Sequence, residues 1–136
     1  MAVTDARAAA RRWRDTWREA WAAHDADAVA DLYAADALFR SEPFREDHHG
    51  HEGARAYATW AFETESAPPE VWFGEPIVQG DRAACEYWAI VAEGGEQSSI
   101  AGISFLSFDD DGLVLSQRDC WNQQPGRHLP PAGWGE

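Results

Sequence analysis

The chain has 136 residues, enough for one domain with a real core, since a protein of this size buries roughly two-thirds of the surface its unfolded chain exposes. Its 24 acidic and 11 basic side chains leave a formal net charge of −13, which argues against nucleic acid and anionic membranes as partners, because both need a basic surface. The start lacks a signal peptide's apolar run, no stretch reaches the roughly 20 apolar residues of a membrane span, and Cys85 and Cys120 are too few for a disulfide framework; a cytoplasmic protein with free thiols is expected.

Thr4 or Asp5 can cap a first helix running to about His24, with Trp13, Trp17 and Trp21 spaced i, i+4, i+8 and the arginines Arg11, Arg14 and Arg18 opposite. A second, shorter helix follows from Asp25 or Asp27 to near Asp36. Ala37 to Ser41 then reads as a short strand stopped by Pro43, and Phe44 to Gly53 as a polar loop. A third helix is expected from about Glu52 to Glu65, ended by Pro68-Pro69. After it come strands: Val71 to Val78, with Pro76 marking an edge or a bulge, then Arg82 to Glu93, Gln97 to Phe108 and Leu113 to Gln123, separated by Gly-rich and Asp-rich turns. The Pro- and Gly-rich tail from Pro125 to Glu136 reads as a loosely packed cover. This order makes the chain α+β, a single domain over 1–136 with its core at about 5–124 and its tail at 125–136. Eight Trp in so short a chain suit either a core or the wall of a cavity.

Three phrases carry a family resemblance. They are Trp21 to Ala37 (WAAHDADAVADLYAADA), Gly50 to Tyr57 (GHEGARAY), and Phe105 to Gly112 followed by Gln117 to Asn122 (FLSFDDDG, QRDCWN). In this order the chain resembles the SnoaL-like branch of the nuclear transport factor 2-like superfamily. The resemblance implies a cone: three N-terminal helices packed on a strongly curved mixed or antiparallel sheet around an apolar pocket. It implies no single activity, because one fold hosts many chemistries. It also implies pairing of two copies through the convex side of the sheet.

Lined up with the ketosteroid isomerases of that superfamily, the chain puts Trp17, Ser41 and Ser104 where those enzymes carry their Tyr, base and Asp donor, so this chemistry is disfavoured. The epoxide hydrolase pattern of two carboxylates around an arginine gives Glu86 and Asp119, with Ala84 in place of the arginine. Polyketide-cyclase chemistry asks only for one acid/base group, Asp119, and an apolar envelope from Trp17, Trp21, Phe39, Tyr57, Trp60, Trp88, Leu106 and Trp121. Arg118 or Arg40 could hold an oxyanion. Asp119 could instead be an exposed residue paired with Arg118 or Arg82, and Glu86 could face a dimer partner.

The expectation is therefore a cofactor-independent cyclase, isomerase or hydrolase for a hydrophobic oxygenated small molecule, or alternatively a non-catalytic protein that binds such a ligand. No cofactor motif is present, and His48, His49 and His51 read as surface histidines of a loop over the pocket rather than metal ligands.

Overall fold

In the computed structural model, which describes residues 5–136, helix α1 spans Ala6–Ala23. Asp5 caps it by accepting the Ala8 N–H at 2.9 Å, satisfying one of the unpaired donors of the first turn. Thr4, the other candidate cap, lies outside the described residues. The buried stripe of α1 alternates small and large side chains, Ala9, Ala10, Trp13, Trp17 and Ala20. Arg11 and Arg14 on the opposite side both hold Glu75 and so fasten the helix to the strands beside it. The helix ends at His24, which takes a left-handed φ of 54° and gives its N–H to the last turn.

Helix α2 is only Ala26–Ala30, well short of Asp36. Local propensity favours a longer helix, but the far end of the chain takes this backbone. Val114 donates to the Leu32 carbonyl at 2.8 Å, and strand β1 (Tyr33–Arg40) starts there, parallel to the last strand. His48–His49 leave the expected loop to form β2, antiparallel to β1. Helix α3 (Gly50–Glu63) consequently begins earlier than the sequence suggests. Gly50 permits this sharp entry: its φ is +68°, and a Cβ there would lie 2.5 Å from the Ala35 carbonyl oxygen.

The expected strand Val71 to Val78 is two strands, β3 (Glu70–Phe73) and β4 (Ile77–Gln79), both paired with β5 (Arg82–Glu93). Phe73 lies opposite Tyr87 and Ile77 opposite Ala84, so the segment from Gly74 to Pro76 faces only Cys85 and Glu86. Pro76 has no N–H for the ladder, and the surplus residue bulges at that point. Strands β6 (Glu96–Phe108) and β7 (Val114–Pro125) complete the sheet. Its order is β2-β1-β7-β6-β5-β3, with β4 also on β5. Because β1 joins β7 in parallel, the sheet is mixed rather than a simple antiparallel meander.

The helical stripe and the inward strand residues Phe39, Cys85, Leu106 and Phe108 share one apolar cluster, which gives the α+β cone. The tail is a fixed strap, not a loose cover. Arg127 grips Glu70 with two hydrogen bonds, Trp134 packs edge-on against Trp88, and Gly135 accepts the Glu75 N–H at 2.8 Å. Among the described residues no helix is long and apolar enough to cross a membrane.

Candidate functional site

Strand alternation decides what meets inside the cone. On β5 the buried residues are Ala83, Cys85, Tyr87, Ala89, Ile90 and Val91, which puts Cys85 and Tyr87 inward and Glu86 and Trp88 on the other face. On β6 and β7 the inward set includes Ser104, Gln117 and Asp119. With α1 and α3 these strands enclose a cavity of about 260 Å³.

The floor of the cavity is a chain of hydrogen bonds with a single polarity. Trp13 Nε1 and the Tyr33 hydroxyl both reach Gln117 Oε1, at 3.0 and 2.5 Å. An indole nitrogen can only donate, so the atom it meets must be the amide oxygen, and the Gln117 NH₂ is turned toward Asp119. That NH₂ lies 3.0 Å from Asp119 Oδ1 and 3.3 Å from Oδ2. Ser104 donates to Oδ1 at 2.6 Å, and Trp17 Nε1 donates to the Tyr33 oxygen at 3.1 Å. Helix α1 thus orients Gln117, and Gln117 with Ser104 orients Asp119.

Asp119 is 8% exposed and lies across β6 from Cys85 on one rung of the sheet. Burial penalises its charged form and pushes its pKa up to about 7; the hydrogen bonds from Ser104 and Gln117 pull the other way without cancelling it. A carboxyl poised there can give or take a proton near neutrality. Oδ1 takes the two short bonds, while Oδ2 has only the longer contact to Gln117.

Glu65 and Arg45 are among the other polar groups that line the cavity. Glu65 accepts hydrogen bonds from Trp21 Nε1 and His24 Nε2, both at 2.7 Å, and burial raises its pKa. Arg45 lies over the Trp60 ring at 5.3 Å and pairs with Glu42 at 2.5 Å. Cys85 is no nucleophile: burial drives its thiol up to about 12.

Of the residues expected at the site, Asp119, Trp17, Trp21, Tyr57, Trp60, Ser104 and Trp121 line the cavity. Phe39, Ser41 and Leu106 are buried but lie outside its lining. Ser41 instead accepts Trp121 Nε1 on its carbonyl at 2.6 Å. Glu86 and Trp88 are corrections. Both point away from the cavity, and Trp88 donates to the His128 carbonyl of the strap. The two-carboxylate set of the hydrolase pattern is not assembled, because Glu86 and Ala84 share the outer face. Neither expected arginine reaches the cavity either: Arg40 is held by Asp47, and Arg118 lines a shallow outer groove.

Sequence reasoning missed Trp13, Gln117, Tyr87, Arg45 and Glu65 as lining residues. The alternation of Gln117 with Asp119 and Trp121 was a usable signal for the first strand position. Nothing local marks Glu65, which meets Trp21 only in the folded chain.

The three loop histidines diverge. His48 packs on Phe39 and Tyr57, with a buried Nε2 that has no partner, and His51 approaches Arg55 and Asp31. Among the described residues no three His, Cys, Asp or Glu side chains converge as a metal site.

A family model described as a SnoaL-like domain matches residues 10–117. The chain belongs to the SnoaL-like domain family. The match ends at Gln117, so it covers the inward rungs of β5 and β6 and stops just before Asp119. A solved structure similar to this chain is that of SalBIII, an epoxide hydrolase/cyclase-like enzyme in pyran ring formation in the polyether salinomycin. The two share 14% identity with a TM-score of 0.77, over 90% of this chain and 98% of that one. Such a likeness establishes the fold, and 321 chains of known structure match, so the fold alone selects no reaction. No curated protein matches the sequence. The SnoaL-like fold and its cavity make this a small-molecule pocket protein.

Proposed function

We propose that the protein is a cofactor-independent enzyme acting on a hydrophobic, oxygenated small molecule, with Asp119 as its general acid/base. One observation carries this reading: a carboxylate buried in an aromatic cavity, held by two short bonds from neutral donors on one oxygen and by a single longer one on the other. The reaction classes that need only this group are isomerisation and ring closure. Asp119 removes a proton from a carbon next to a carbonyl. The C–H electron pair becomes a C=C bond and the carbonyl π pair moves to oxygen. The enolate then takes the proton back at another carbon, or its carbon attacks a second carbonyl and Asp119 protonates the new alkoxide. Water activation for epoxide opening uses the same carboxylate, but Glu86 and Ala84, at the second-carboxylate and arginine positions of the hydrolase pattern, lie on the outer face of the sheet.

Proton abstraction can be read without knowing the natural substrate. In D₂O the protein should exchange the α-protons of 2-tetralone, followed by NMR. Asp119→Asn should lower that rate by about 10²–10⁴-fold, the usual worth of a placed acid/base. An unchanged rate in the variant would overturn the assignment; tight tetralone binding with no exchange in the unaltered protein would favour a ligand-binding protein instead.

We also infer that two copies pair through the outer face of the sheet. Leu38, Ile103, Phe105 and Leu115 are exposed there, on the neighbouring strands β1, β7 and β6. Sedimentation should give twice the 15.1 kDa chain mass, falling to one chain in Phe105→Lys. A monomeric unaltered protein would rule the pairing out.

A further inference from the structure

The cavity wall holds a hydroxyl that the fold leaves unused. Tyr87 is 6% exposed on the inward face of β5. Every polar side-chain atom of Trp13, Trp17, Ser104 and Gln117 around it has a protein partner. The Tyr87 hydroxyl has none among the described residues. Among those residues the sealed, unpartnered side-chain atom is His48 Nε2, so the Tyr87 oxygen opens onto space, and the space beside its ring is the cavity. A hydroxyl without a protein partner that opens onto an apolar cavity is placed to bond a polar atom of whatever fills that cavity. Burial and the charge of Asp119 both push the phenol well above its usual range, so it remains a donor.

The chain makes room for this hydroxyl. Gly102 lies opposite Tyr87 on one side and Trp121 on the other. A Cβ on Gly102 would come within 2.8 Å of the Tyr87 oxygen and 2.5 Å of Trp121 Cβ. The next inward rung, Cys85–Ser104–Asp119, lies roughly 7 Å along the strands. Donor and carboxylate therefore occupy neighbouring rungs of one face.

We propose that Tyr87 is the hydrogen-bond donor that receives the ligand's reacting oxygen beside Asp119, and that the ligand is an enolisable ketone or its enol or phenol equivalent. The proposal rests on the proton-transfer reading of Asp119. As the α-proton moves to the carboxylate, negative charge gathers on the carbonyl oxygen, and a preorganised O–H aimed at that oxygen is worth more there than on the neutral ketone. The phenol keeps its proton throughout.

The test uses the Asp119→Asn protein, whose neutral amide stands for the carboxyl after it has taken a proton. Its probes are 4-nitrophenol, an enolate mimic read by absorbance, and 4-nitrotoluene, of similar shape without the oxygen. With Tyr87 intact, nitrophenol should bind tenfold or more tightly than nitrotoluene. Adding Tyr87→Phe should remove that preference while leaving nitrotoluene affinity within twofold, which also reports that the pocket is still folded. Equal affinities for the two probes with Tyr87 intact, a preference that survives Tyr87→Phe, or no nitrophenol binding at all would each overturn the proposal. Failure of the Asp119 reading looks different: ketone exchange unchanged by Asp119→Asn in a protein that retains Tyr87.

Discussion

Asp119 and Glu86 are two carboxylates on strands separated only by β6, and each has a tryptophan two residues further on. Asp119 faces inward beneath α1, with its charge taken out of water and its hydrogen bonds supplied by Ser104 and Gln117. Glu86 faces outward and is half-buried, beside a tryptophan that serves the tail strap. The same functional group in the same sheet thus has two fates, and enclosure separates them. Enclosure here belongs to the face of the sheet, not to the residue type.

The largest expected consequence is in the exchange rate. Asp119→Asn should cost about 10²–10⁴-fold, whereas Glu86→Gln should stay within twofold; equal losses would erase the distinction between the faces. Stability should separate the two next. The folded-state pKa of Asp119 is raised from 3.8 to about 7, so between these values the folded state holds a proton that the unfolded chain has released. Its contribution is full below pH 4 and lost as pH rises through about 7. A tenfold change in proton affinity is worth about 1.4 kcal/mol, so the cost at pH 8 is on the order of a few kcal/mol. Asp119→Asn should therefore melt higher than the unaltered protein at pH 8 and lose this advantage near pH 4, by calorimetry. A Glu86→Gln protein should show no such crossover, with a change of about 0.5 kcal/mol or less. A smaller effect sharpens the account of the floor. Gln117→Leu strands the Trp13 N–H and Tyr33 O–H and should cost about 1–3 kcal/mol in chemical denaturation. It also removes a donor that favours ionised Asp119, so the midpoint of the exchange pH profile should move upward; a downward move would mean that Gln117 does not act through the carboxylate.

Much of the frame was legible along the chain. The Trp13, Trp17 and Trp21 stripe marks α1 together with Arg11, which on a helix falls on the side opposite the indoles but on a strand would share their face. The Gly94-Gly95 turn, with φ of 58° and 81°, sets the β5–β6 hairpin where the sequence suggests it. Alternation around Asp119 also pairs it with Gln117 and Trp121 on one side of β7, but Leu115, which the same alternation puts with them, is exposed where the register shifts between Val114 and Ser116.

Tertiary structure decided the rest, for one recurring reason. A period of two says which residues share a face but not which face turns inward, and on β5 both sets, Cys85 with Tyr87 and Glu86 with Trp88, hold an aromatic and an ionisable side chain. The choice was made by distant segments: α1 closing over the first set and the strap from Arg127 to Trp134 covering part of the second. Likewise β1 begins at Tyr33, inside the expected helix and ahead of the strand expected from Ala37, because Leu32 and Tyr33 find β7, about 80 residues away, a pairing no local propensity encodes. The sequence by itself determined the helices' apolar stripe, the hairpins and the acidic residue at position 119. Only the closed cone decided that Asp119 is buried, what orients it, and that Glu86 is not its partner.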